Sequence, residues 1–109
     1  IESVAASVRK TRRLLIVDHA WVGSGLSAEI LAQVVEALGD DAGDARAVRY
    51  RRMGFAATPC PTTRVLEDAF YPSPTTIASA AYALARPDAD PWEPSGQASP
   101  EIVEFRGPF

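Results

Sequence analysis

Four consecutive large apolar residues, Leu14–Val17, constrain the fold of this chain more than any other feature of its sequence. Successive side chains of a strand point to opposite faces of the sheet, so a strand with this run is apolar on both faces. Strands of this kind occur in parallel sheets that helices cover on each side. The run, which Asp18 closes, therefore predicts a buried strand in a layered α/β domain.

Helical and strand patterns alternate on either side of this run, as in domains built from parallel strands and crossover helices. The predicted elements are a helix over residues 1–10, a strand over 14–17, a helix over 26–38 ending at Gly39, an edge strand over 47–53, a short helix through 65–70 and a helix from Ser73-Pro74 to about Arg86. Two strands are too few for such a sheet. We therefore expect other polypeptide, either a preceding segment or another chain, to complete it.

The composition changes at Pro87, and residues 87–109 contain five of the nine prolines and no helical period. We interpret this part as an extended tail with a brief strand over 102–105. Trp92, Phe105 and Phe109 supply more apolar surface than a solvated linker needs. The tail is therefore predicted to pack, with Phe105 and Phe109 as anchors, and the alternative is a flexible terminus.

Composition narrows the class of protein. A hydrophobic fraction of 47% excludes a disordered chain, and no apolar run is long enough to span a membrane. The single cysteine, Cys60, cannot form an intrachain disulfide, and the N-terminal sequence does not resemble a secretory signal, so a cytoplasmic location is expected.

Eight of the eleven basic residues form two groups, over 9–13 and 46–52. We interpret them as solvated faces rather than as a nucleic-acid site, because the net charge is −3 and no RNA-binding or zinc motif accompanies them.

The candidate functional residues of the sequence lie just after the apolar strand. Gly23, Ser24 and Gly25 follow Trp21 in a turn that leads into a helix, a place where anions often bind backbone amides. The alternative is a tight turn that lets helix and strand pack closely. His19 lies just past the predicted strand and could shuttle protons or contact a subunit. No catalytic, cofactor-binding or metal-ligating residue is predicted.

Seven short motifs, each weak alone, occur in a specific order. They are Lys10–Arg13, Leu14–Asp18, Gly23–Gly25, Ala28–Ile30, Arg49–Arg52, Thr58–Pro61 and Phe70–Pro72. This series resembles the C-terminal domain of the transketolase superfamily. The greatest likeness is to the beta subunit of thiamine-diphosphate-dependent 2-oxo acid dehydrogenases of the pyruvate, branched-chain or acetoin type. It covers about residues 1–86.

The resemblance implies a three-layer α/β/α domain over residues 1–86, truncated at its N-terminal side, followed by the tail over 87–109. It implies a structural and assembly role in an oligomeric enzyme that decarboxylates a 2-oxo acid oxidatively and transfers the acyl group to lipoyl. The parent enzyme uses thiamine diphosphate and magnesium, whereas this chain is expected to bind no cofactor and to be inactive alone. His19 stands where the family often has Glu, so no catalytic role transfers to it.

The implied partners are the remainder of the beta subunit, an alpha subunit in a heterotetramer and the lipoyl acyltransferase core. Neither nucleic acid nor a membrane is expected. Two alternatives stay open: part of a split transketolase, and a non-enzymatic interaction module. Fold-level likeness cannot choose the substrate among these enzymes.

Overall fold

A computed structural model describes residues 1–39 and 48–95 of the chain. Its elements are α1 (Glu2–Thr11), β1 (Arg13–Trp21), α2 (Leu26–Leu38), β2 (Arg49–Phe55), α3 (Arg64–Phe70) and α4 (Pro74–Ala85). The order of helices and strands predicted from the sequence is confirmed. The predicted loop over 40–44, the brief strand over 102–105 and the anchors Phe105 and Phe109 lie outside the described residues.

The two strands pair in parallel, from Arg13 opposite Arg49 to Val17 opposite Met53. The pairing then shifts, because Trp21 lies four positions after Val17 on β1, whereas its partner Phe55 lies two positions after Met53 on β2. Such a bulge bends a strand and redirects its side chains. The predicted end of β1 at Val17 is therefore wrong: the strand continues to Trp21, and His19 lies within it rather than past it.

Helices α1 and α2 pack on the sheet face that carries Leu14 and Tyr50. The buried core there consists of Ala5, Val8, Val34, Leu38 and Val48. The alternation predicted for the second strand is confirmed, since Val48 is buried and Tyr50 partly buried while Arg49 and Arg51 are exposed. This face is the one part of the sheet that the described residues cover with a closed apolar core.

The apolar strand β1 is less covered than its sequence requires. Within the described residues it pairs with β2 alone, and its Val17 side chain is 40% exposed. An open groove runs beside it, lined by Leu14 and Leu15 of β1, by Ser7 and Thr11 of α1, and by Ala81 and Leu84 of α4. We call this the β1 groove. Its walls are mainly apolar, and a further strand beside β1 would lie there.

Helix α4 begins with the capping that its sequence predicts. The Ser73 hydroxyl accepts a hydrogen bond from the Thr76 amide at 3.1 Å, and the Thr76 hydroxyl accepts one from the Ser73 amide at 2.9 Å. Pro74 occupies the first turn, where its missing amide proton costs nothing. The chain after this helix turns back, and the Trp92 ring lies 5.2 Å from that of Tyr82. No helix in the described ranges is long and apolar enough to cross a bilayer.

Substitution Ser73→Ala should therefore lower the free energy of unfolding by about 1 kcal/mol, because two amides lose their capping arrangement. Urea denaturation followed by circular dichroism measures the effect. Ser79→Ala, in the interior of the same helix, is the matched control and should not destabilise, since alanine is the better helix former. Equal effects of the two substitutions would contradict the role of the cap.

Candidate functional site

The predicted turn after β1 is held by close backbone contacts. Ser24 adopts a left-handed conformation with a φ of 63°, and a Cβ atom at Gly25 would collide with the carbonyl oxygen of Trp21. Glycine at position 25 therefore lets the start of α2 lie directly against the end of β1. Arg52 of β2 reinforces the turn by donating a hydrogen bond to the Val22 carbonyl at 2.7 Å.

A carboxylate of the chain itself lies at the N-terminus of α2. The Ser27 amide donates a hydrogen bond to the Asp18 carboxylate at 3.2 Å. Negative charge is favourable there because of the helix dipole. An external anion at Gly23, Ser24 and Gly25 would have to lie beside this carboxylate, and the repulsion favours the tight-turn alternative. The anion site stays a prediction.

The carboxyl ends of β1 and β2 bring five aromatic rings together, and we call them the aromatic cluster. It consists of His19, Trp21, Phe55, Phe70 and Tyr71. Phe55 is central, with ring centroids 4.9 Å from Phe70, 5.1 Å from Tyr71 and 5.8 Å from both His19 and Trp21. Two predicted site residues, His19 and Trp21, thus belong to one arrangement.

Local backbone features place these rings at the carboxyl ends of the two strands. The bulge in β1 directs His19 and Trp21, and Gly54 allows the close approach of β2, because a Cβ there would collide with the Ala20 carbonyl oxygen. The Ala56 amide donates to the Phe70 carbonyl at 2.9 Å and so ties the end of α3 to the end of β2. The cluster is therefore built by three separate segments of the chain.

The cluster is buried at its base and open at its top. Phe70 is 3% exposed, whereas Trp21 is 49% exposed although its indole nitrogen donates to the Thr58 carbonyl at 3.3 Å. Val65 and Leu66 of α3, the helix that ends at Phe70, are exposed as well. Aromatic side chains in such positions are enriched where protein interfaces carry binding energy. The arrangement is suited to contact with another polypeptide.

Cys60 and Tyr71 form the polar edge of the cluster. The Cys60 thiol lies 3.8 Å from the Tyr71 hydroxyl, within hydrogen-bond distance for sulfur. This hydrogen bond raises the pKa of Tyr71, and the negative charge of an ionised Cys60, burial and Glu67 raise it further. Each of these causes favours the protonated phenol.

Substitution Cys60→Ala should lower the pKa of Tyr71 toward its usual value, as measured by an NMR titration of the tyrosine ring carbons. Glu67→Gln, which removes the weakest of these causes, should lower it less. Because the folded chain holds the Tyr71 proton more tightly than the unfolded chain, stability falls as pH rises through the two pKa values. Cys60→Ala should diminish that fall, and an unchanged Tyr71 pKa would contradict the contact.

Sequence reasoning missed Phe55, Phe70 and Tyr71 as members of the site. Their common signal is visible in the sequence: each aromatic residue stands at, or just past, the end of a predicted strand or helix. The sequence does not show that these ends meet. The structure shows it through the parallel pairing of the strands and through the hydrogen bond between the end of α3 and the end of β2.

The structure defines a small α/β unit of two parallel strands with covering helices. Comparison with known proteins finds similarity to an enzyme subunit. The beta subunit of the pyruvate dehydrogenase E1 component from Mus musculus is 41% identical over 68 residues. Its counterparts from Saccharomyces cerevisiae and Porphyra purpurea are 35% identical over 79 residues and 38% identical over 80 residues. The chain is thus distantly homologous to part of the pyruvate dehydrogenase E1 beta subunit, as its resemblance predicted.

The matched region makes up only a small part of each relative. It covers 62% of this chain and 18% of the mouse protein, 72% and 21% with the yeast protein, and 73% and 23% with the Porphyra protein. The chain therefore matches about a fifth of the length of its relatives. No protein-family model and no solved structure matches it. The mouse and yeast proteins are named as mitochondrial, and the cytoplasmic location expected for this chain stays a prediction.

Proposed function

We propose that this chain is a C-terminal structural and assembly part of a thiamine-diphosphate-dependent 2-oxo acid dehydrogenase beta subunit. The assembled enzyme would decarboxylate a 2-oxo acid oxidatively and transfer the acyl group to lipoyl. The observation that carries the proposal is the identity of 41% over 68 residues with the mouse pyruvate dehydrogenase E1 beta subunit.

The β1 groove supports the assembly role. An apolar strand with one open edge leaves large side chains in contact with water, at about 1.5–3 kcal/mol for each one fully exposed. A further strand beside β1 would cover Leu14, Leu15 and Val17 and extend the sheet toward a three-layer α/β/α domain of the transketolase C-terminal type. In this proposal the remainder of the beta subunit provides that strand.

The described residues do not fit thiamine diphosphate and its magnesium ion. Within residues 1–39 and 48–95, no three His, Cys, Asp or Glu side chains converge on a common point. The N-terminus of α2, which could face a diphosphate, already carries the Asp18 carboxylate. We expect other polypeptide to bind the cofactor in the proposed assembly, and we assign no chemical step to this chain.

The aromatic cluster is the proposed contact with a neighbouring subunit, either the alpha subunit or the lipoyl acyltransferase core. Trp21→Ala should weaken assembly by at least about 2 kcal/mol, the scale of an interface hot spot, while leaving the fold mostly intact. Sedimentation velocity of the assembled enzyme measures the effect. Trp92→Ala is the matched control, since Trp92 is also half exposed but contacts Tyr82 on α4. Unchanged assembly of the Trp21 variant would contradict the proposed contact.

The proposal is tested by purifying the complex that contains this chain and assaying it. We expect a thiamine-diphosphate-binding partner by native mass spectrometry and 2-oxo acid oxidation with acyl transfer to a lipoyl acceptor. Transfer of two-carbon ketol units between sugars would show a split transketolase instead. A complex without any thiamine-binding chain would show a non-enzymatic module. Calorimetric titration of the isolated chain should detect no magnesium-dependent thiamine diphosphate binding.

A further inference from the structure

One arginine from each basic group of the sequence lies at the end of the sheet opposite the aromatic cluster. Arg13 lies directly across from Arg49, and Arg51 lies across from Leu15, so all three side chains share one face. The Arg49 amide donates a hydrogen bond to the Arg12 carbonyl at 3.0 Å and fixes this register. We call Arg13, Arg49 and Arg51 the arginine face.

Among the residues that the structure describes, no negative charge compensates the arginine face. All three side chains are exposed, and none has a hydrogen bond or ion pair with another part of the chain that the structure describes. Helix α4, which contacts both strands, contains no charged residue that could neutralise them. Like charges directly opposite each other in a sheet are destabilising. The pairing of Arg13 with Arg49 therefore works against the stability of the isolated chain.

An anionic occupant would reverse this effect, because the guanidinium group binds carboxylates through two parallel hydrogen bonds. Arg13 also lines the β1 groove, together with Leu14 and Leu84. A ligand that binds both the β1 groove and the arginine face must offer apolar side chains beside its negative charges. Nucleic acid does not meet this requirement, and the aromatic rings on which bases could stack lie at the other end of the strands.

We propose that the polypeptide completing the sheet at the β1 groove is an apolar strand whose acidic side chains bind the arginine face. The inference rests on the proposed sheet completion and adds the chemistry of the occupant. Arg13 contacts a carboxylate on the neighbouring strand directly. Arg49 and Arg51 lie one strand further away, and their long side chains extend over the same face.

The experiment uses the whole 109-residue chain and two labelled peptides, one alternating valine with glutamate and one alternating valine with glutamine. Fluorescence anisotropy should show tighter binding of the glutamate peptide, with an affinity that decreases as salt is added. The double variant Arg13→Glu with Arg49→Glu should bind the glutamate peptide at least about tenfold more weakly. The control Arg64→Glu makes a charge reversal at an exposed position on α3 and should leave binding unchanged.

Three results would overturn the acidic occupant. They are equal affinity for the two peptides, an equal loss from Arg64→Glu, and tighter binding of a single-stranded oligonucleotide than of the glutamate peptide. Equal binding of both peptides would leave sheet completion itself intact. Absence of binding by either peptide to a stable monomer would overturn sheet completion as well.

The single variant Arg49→Glu provides a second readout that does not depend on a peptide. It converts the repulsive pair with Arg13 into an attractive one and should raise the thermal midpoint of the chain. Arg64→Glu, which faces no arginine across a strand, should not raise it. A lower midpoint for Arg49→Glu would show that the arginine face is not under electrostatic repulsion and would overturn the proposal.

Discussion

Gly54→Ala is expected to destabilise the chain by about 3 kcal/mol, at the upper end of the usual cost of overpacking. The added Cβ would collide with the Ala20 carbonyl oxygen, a backbone atom that cannot move away without separating β1 from β2. A loss of this size is a large part of the 5–15 kcal/mol that stabilises typical domains. Urea denaturation, followed by far-ultraviolet circular dichroism, measures it.

Gly23→Ala is the matched control for this substitution. A Cβ at Gly23 would meet no atom within 4 Å, so the same chemical change should have little effect. Similar unfolding midpoints for the two variants would mean that the strands do not approach each other at Gly54. The bulge opposite Gly54, which directs His19 and Trp21, would then be wrong as well.

Phe70→Ala is expected to cost about 3–5 kcal/mol, the usual range for deleting a buried phenylalanine ring. Phe70 is 3% exposed and is the one buried residue of α3, and its ring stacks on Phe55 at 4.9 Å. Without it, α3 loses its apolar attachment to the sheet. Urea denaturation gives the free energy, and near-ultraviolet circular dichroism reports the packing of the aromatic cluster.

Val65→Ala serves as the control on the same helix, because the Val65 side chain is 81% exposed. It should change the free energy of unfolding by no more than about 0.5 kcal/mol. If Phe70→Ala were equally mild, α3 would not be anchored through this ring. The aromatic cluster would then lack its base, and the proposed subunit contact at Trp21 would lose its support.

Local signals were sufficient to predict most elements of this fold. The apolar run at Leu14, the helical period after Leu26 and the Ser73-Pro74 start act over neighbouring residues, and the structure contains an element at each. The end of β1 could not be predicted in this way. Asp18 and His19 are typical of a strand end, but the bulge and the pairing with β2 extend the strand past them.

The candidate site was only partly predictable, because it depends on contacts between distant segments. His19 and Trp21 were identified from their position after an apolar run. Phe55 and Tyr71 join them because the two strands pair and because the end of α3 is hydrogen-bonded to the end of β2. The arginine face is a similar case. Its members occur in two basic groups that the sequence shows as separate and that the register brings opposite each other.

The central claim is that this chain is part of a larger sheet, which other polypeptide completes along the open edge of β1. The most direct test is the thermal transition of the purified chain, measured by calorimetry over a wide range of chain concentrations. We expect a broad transition, or a midpoint that rises with concentration, because exposed β1 and groove residues drive association. A sharp transition of a monomer, with a midpoint that does not depend on concentration, would contradict the claim.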